Sequence, residues 1–228
     1  MTTLDQNRKI GAVTPAFIFL AVLYGVLLVI SNITVVKLVQ IGPFLLTAAF
    51  FTYPLVYVIS DMITEIYGYR LAMTAIWANF STQALVSLIF WFTLKLKGVD
   101  ESVQGAMATL FSTTFRIVAG SLVAFWVGDW LNSLVLSKMK VAQKGRNFFV
   151  RAMVSSLPAH MLDTALFNVI AFAGVWTPSQ ILRNTLSESS LATVYELAIF
   201  PLTLAIVRRW KKIEKVDAYD IGISYRPF

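Results

Sequence analysis

The chain carries apolar runs of about 20 residues, the length a helix needs to cross a hydrocarbon core of about 30 Å. They lie at about 15–36, 44–66, 71–94, 114–136, 149–172 and 191–207. In lipid every backbone N–H and C=O must be paired internally, and a long apolar run does that as a helix. The pattern predicts an all-α integral membrane protein, a compact bundle of six transmembrane helices. Composition agrees: 57% of the 228 residues are hydrophobic and 14% charged, against about 45–50% and about 25% in soluble domains. Nothing between the runs is long enough for a soluble domain. The expected division is an N-terminal segment over 1–14, the six-helix transmembrane domain over 15–207 and a tail over 208–228. A short, weakly apolar segment at 103–111 reads as a re-entrant or interfacial helix. The first run is too long for a cleavable leader and has no small-residue cleavage pattern after it, so none is expected.

The net charge of +7 raises nucleic acid as a partner, but its placement points elsewhere. Basic loops are retained in the cytoplasm. With the N-terminus inside, fourteen of the lysines and arginines fall on cytoplasmic segments: Arg8 and Lys9, Arg70, the basic residues of 138–151, and those from Arg208 to Arg226. The other side holds four, Lys37, Lys95, Lys97 and Arg183, while Arg116 lies near or within a run. Both termini are therefore expected in the cytoplasm, and the surplus reflects topology and attraction to anionic lipid, with no nucleic acid.

Polar residues interrupt each run. The stretch at 51–70, FTYPLVYVISDMITEIYGYR, places Asp61 and Glu65 four residues apart, on one helix face with Thr64 beside them. A charge at the bilayer centre costs about 2.5–3.5 kcal/mol on insertion scales. Two readings stand: the acids close the helix at a wet cytoplasmic rim, or they face a polar cavity inside the bundle. Ser31 and Asn32 interrupt the first run, and Asn79, Gln83 and Ser87 form a stripe down the third. Arg116, Gly128, Asp129 and Asn132 mark the fourth, His160, Asp163 and Asn168 the fifth, Tyr195 and Glu196 the sixth. A single such group reads as an interhelical hydrogen bond; a set spread over all six runs reads as the lining of a shared pocket. The acids outnumber Arg116 and His160, so a buried surplus must hold protons or meet a donor-rich or cationic ligand. Asp129 also fits a charge at the cytoplasmic rim, and His160 a structural donor or a proton carrier beside Asp163.

Enzyme chemistry has little support. There is no cysteine and one histidine, and no HExxH, no GxSxG within a run and no Walker loop. Asp61 and Asp163 could be imagined as an intramembrane aspartyl pair, with nothing else in favour. No ring of charges or pore loop suggests an ion channel. A polar interior with minimal loops reads as a solute carrier, with a small-molecule substrate and the lipid bilayer as partners and no cofactor or metal.

The stretch from Tyr53-Pro54 through Ser60-Asp61-Met62-Ile63-Thr64-Glu65-Ile66-Tyr67-Gly68 resembles the signature of the queuosine precursor transporter family, also called the vitamin uptake transporter family. Ser31-Asn32, Arg116-Ile117-Val118, Gly128-Asp129, Asn132-Ser133, Asp163-Thr164, Tyr195-Glu196 before Pro201 and the tail from Asp217 agree in order. The resemblance implies a bundle similar to the substrate-binding components of energy-coupling-factor transporters. It also implies uptake of 7-deazaguanine bases, the queuosine precursors preQ0 and preQ1, across the inner membrane. A carboxylate can accept the paired N–H and NH₂ of a guanine-like edge. Asp163 and Glu196 are the first candidates for ligand contact, then Asp61 and Glu65, with Asn32, Asn79, Gln83 and Arg116 in support. Uptake of another vitamin-like solute, a homodimer and a separate energising partner are left open, as are an intramembrane enzyme and a structural membrane subunit.

Overall fold

The computed structural model describes residues 13–41, 44–111 and 115–227. Helix α1 (Pro15–Thr34) starts where the Thr14 side chain accepts from the Phe17 N–H, with Pro15 at its first position. A short antiparallel hairpin follows, β1 (Leu38–Ile41) with β2 (Phe44–Thr47), then a 3₁₀ turn at Ala48–Phe51. The helices α2 (Tyr53–Tyr67), α3 (Tyr69–Lys95), α4 (Glu101–Phe111), α5 (Phe115–Ala142), α6 (Phe148–Phe172) and α7 (Pro178–Glu214) complete the fold. The expected second run thus opens as a hairpin, and only its latter part is α-helix. The segment expected to be a re-entrant or interfacial helix is α4, none of whose residues is buried.

Among the described residues, five segments are long and apolar enough to cross a membrane: Pro15–Thr34, Ala48–Tyr67, Tyr69–Lys95, Ile117–Ala142 and Pro178–Glu214. The sixth expected crossing is the 25-residue α6. It has the length, but Ser155, Ser156, His160, Asp163 and Asn168 dilute its apolar character, and all five are buried. At the last crossing the structure differs from the expected pattern. The run expected from about 191 is instead the latter part of one continuous helix, α7, which opens 13 residues earlier at a Thr177–Gln180 capping box.

Alternate helix ends share each end of the bundle. At one end the Tyr67 hydroxyl donates to Glu214, and Thr14 also reaches Glu214 at 2.8 Å, joining the start of α1 to the ends of α2 and α7. At the other end Ser31 meets Thr52 at 2.7 Å, Ser121 donates to Asn32 at 3.0 Å and Asn168 donates to Thr185 at 3.1 Å. The α5–α6 pair packs most extensively. α2 is buried along almost its whole length, because the surrounding helices enclose it. Exposed Leu85, Leu88, Ile89, Trp91 and Phe92 leave an apolar outer surface on α3, as a lipid-facing helix requires.

The tail packs back onto the end shared by Thr14, Tyr67 and Glu214. Ala218 N–H donates to the Ile66 carbonyl at 3.0 Å. Asp220 accepts from the Tyr69 N–H at 2.8 Å, capping the start of α3. Gly68 makes the turn between α2 and α3 at φ +85°, where a Cβ would also sit 2.8 Å from Asp220 Oδ1.

Candidate functional site

Carboxyl groups from α2, α5, α6 and α7 converge between those helices. Glu196 stands at the middle of α7, His160 at the middle of α6 and Asp129 beside the middle of α5. Exposure is 1% for Asp61 and Asp129, 2% for Glu196 and 4% for Asp163.

Consecutive hydrogen bonds lace α2 to α5. Ser60 donates to Asp129 Oδ1, Asn132 Nδ2 donates to Asp61 Oδ1 at 2.7 Å, and Thr64 donates to Ser133 at 3.0 Å. Three- and four-residue spacings put these groups on one stripe of each helix. Across the site Ser156 donates to Glu196 Oε1 at 2.9 Å and lies 3.4 Å from both Asp61 Oδ2 and Asn132 Oδ1. His160 Nε2 is 3.2 Å from Glu196 Oε2, and the His160 carbonyl accepts from Ser189. Asp61 and Glu196 therefore meet across one serine. Toward the other end of α2, the Tyr53 hydroxyl donates to Asp163. The Tyr57 ring packs 4.2 Å from the imidazole of His160 and 5.9 Å from Tyr53. Gly128 makes room: a Cβ there would lie 2.6 Å from the Tyr57 hydroxyl and 2.8 Å from Asp163 Cβ.

Among the described residues, none of these four acids pairs with a lysine or arginine; His160 is the basic side chain that reaches them. No three of the described His, Asp or Glu side chains are grouped to hold a metal ion. Such a site is neutral only with bound protons or a cationic guest, and its acceptors are otherwise satisfied by a guest rich in donors.

Glu65 belongs to a different cluster. Arg151 grips it with two bonds, 2.6 and 3.1 Å, Lys211 reaches it at 2.6 Å and Lys140 at 3.9 Å. Arg151 is fully buried, so Glu65 is its counter-ion. Lys140 and Lys211 also bind Asp217 of the tail at 2.7 and 2.8 Å. Burial alone would push the Asp217 carboxyl up, but the two lysines outweigh it and hold it below its ordinary value.

The amides divide as well. Asn32, Gln83, Ser87 and Ser121 line a cavity between α1, α3 and α5, closed by Phe90, Phe111 and Phe167. Asn79 is buried against Gly25 of α1. The side chain of Arg116 lies outside the described residues. Of the expected site residues, the structure brings together Asp61, Asp163 and Glu196, and adds Asp129, Asn132, Ser60, Ser156, His160, Tyr53 and Tyr57. Asp129 reads as a rim charge only while the fourth run is ended near 136. Its helix in fact continues to Ala142, which sets Asp129 at mid-helix. Ser156 carries no signal in a lone sequence beyond lying one turn from His160, and Ser60 none beyond standing next to Asp61 in the motif at 51–70.

A family model described as "Putative vitamin uptake transporter" matches residues 47–206. A curated relative from Bacillus subtilis (strain 168), named "Probable queuosine precursor transporter", is 26% identical over 183 residues, covering 79% of this chain and 80% of its own length. No solved structure matches the chain. The matched region holds α2 to α6 entire and α7 past Glu196, so it contains every acid of the central cluster. Both comparisons are with transporters, not enzymes, and the intramembrane aspartyl reading falls away. The chain is a multi-pass membrane transporter and belongs to the vitamin uptake transporter family.

Proposed function

We propose that this protein imports 7-deazaguanine bases, the queuosine precursors preQ0 and preQ1, across the inner membrane, through six crossings with both termini in the cytoplasm. The observation that carries the reading is the meeting of Asp61, Asp129, Asp163 and Glu196 at mid-helix with no lysine or arginine partner among the described residues. Lipid-buried acids are costly unless a function retains them, and a planar base rich in N–H groups supplies the donors they lack. The relative's name supports this substrate class. The alternating helix ends and the basic surplus at the end holding Lys140, Arg151 and Lys211 support the orientation.

In this reading Glu196 and Asp61 accept the paired N–H and NH₂ of the guanine-like edge, as carboxylates do in two-point recognition. Asn132 serves the carbonyl side, and the rings of Tyr53, Tyr57 and His160 flank the base. Glu65 holds the helix ends together, and Asn32 and Gln83 line the approach from the other end.

Uptake of labelled precursor by cells unable to make it tests the proposal. The native protein should restore uptake, while Asp163→Asn and Glu196→Gln at normal abundance should lose at least about 90% of it, given about 1.5–3 kcal/mol per charged hydrogen bond. Normal uptake by both variants removes the site, and no uptake by the native protein redirects the search to other vitamin-like solutes.

A further inference from the structure

Asp129 differs from the other central acids. Its Oδ1 accepts from Ser60, but Oδ2 is buried and has no hydrogen-bond partner among the described residues. Burying a carboxylate oxygen without a partner costs several kcal/mol in lipid. Asp163 offers no relief: it is another acid, packed against Gly128 next to Asp129 and close enough to repel it. Glu188, half-buried on α7 two turns before Glu196, is also close enough to Asp163 to repel it. The tyrosines of α2 stand beside these acids: Tyr53 donates to Asp163, and the Tyr57 hydroxyl packs against Gly128, next to Asp129.

We propose that Asp129 and Asp163 form an ammonium subsite, which selects substrates carrying an aminomethyl or similar primary amine on the planar ring. An ammonium has three donors and no acceptor. One donor satisfies Asp129 Oδ2 and another Asp163, and the positive charge offsets a pair of acids that no described lysine or arginine neutralises. The neighbouring phenol rings favour a cation through their π faces. An uncharged substituent of the same size would leave Asp129 Oδ2 unpaired. The inference rests on the proposed transport of 7-deazaguanines for its natural substrate, but the subsite itself is a matter of charge and can be probed alone.

Two measurements test it. Cells unable to make the precursor are given 7-aminomethyl- and 7-cyano-7-deazaguanine in competition. The native protein should prefer the aminomethyl form by about tenfold or more, the worth of one charge-assisted hydrogen bond. In Asp129→Asn the ratio should fall to about one, and in Asp129→Glu most of it should return, by the same bond's presence or absence. Equal uptake of both forms by the native protein overturns the subsite and leaves the transport reading standing. Uptake of neither overturns the transport reading, and the second measurement then decides the subsite. Purified protein is titrated with benzylamine and with benzyl alcohol, and its thermal stability is followed. Stabilisation by the amine alone, lost in Asp129→Asn, supports the subsite; equal response to both, or a response that survives Asp129→Asn, overturns it.

Discussion

At the scale of single residues, the four-residue spacing of Asp61 and Glu65 hides two separate jobs. Asp61 meets Asn132, Ser156 and, through the serine, Glu196. One turn on, Glu65 is the counter-ion of a fully buried arginine and of Lys211. Helix geometry says that the pair shares a face; only the neighbouring helices decide what that face meets. Removing one partner of a buried ion pair costs about 3–5 kcal/mol, because the other charge is left uncompensated. Glu65→Gln should therefore lower the stability of the purified protein by about that amount, read from its unfolding transition. Glu196→Gln, which keeps one oxygen to accept from Ser156 and turns its NH₂ toward the His160 ring, leaves no charge uncompensated and should cost much less. Equal stability of Glu65→Gln and the native protein would show that Arg151 is satisfied without it.

At the scale of elements, α5 approaches α2 and α6 through Gly128, where a Cβ would collide with the Tyr57 hydroxyl and Asp163. Gly128→Ala should push these two apart by a few tenths of an ångström or more and reduce uptake while the protein still inserts. Gly120→Ala, whose Cβ would meet Ile170 at 3.3 Å, is the control on the same helix. Similar uptake by the two variants would remove Gly128 from any special part. Helix positions were readable from the apolar runs, because lipid enforces one solution for the backbone. Helix ends were less so. α7 has 37 residues, a length of about 55 Å at 1.5 Å per residue, so it projects well beyond a hydrocarbon core of about 30 Å. Hydropathy registers the part inside the lipid; the Thr177 capping box and the packing of Lys211 on Glu65 set the rest.

For the whole molecule, the tail ties helices together at one end. Asp217 bridges Lys140 of α5 and Lys211 of α7, and Asp220 caps α3 and accepts from Ser137 of α5. Nothing in the lone sequence showed that residues after 214 fold back, since these contacts join positions far apart in the chain. Asp217 is held below its ordinary value, so its contribution to docking is present above the usual carboxylate range and lost as pH falls through its folded value. Hydrogen-exchange protection of the Ala218 amide, which donates to Ile66, should be steady from about pH 5 to 7 and, on the acid side, fall below about pH 4, the ordinary aspartate range. A drop between pH 5 and 7 would place the tail's anchorage elsewhere.

The convergence of acids, rather than the amide-lined cavity between α1 and α3, is held to bind the substrate. Equilibrium binding of labelled 7-deazaguanine precursor to purified protein compares the two locations directly. Asp61→Asn and Glu196→Gln should each weaken binding by about tenfold or more, the worth of a charged hydrogen bond, and by far more than Gln83→Leu does. Binding that is abolished by Gln83→Leu and unchanged by Asp61→Asn and Glu196→Gln would contradict the account.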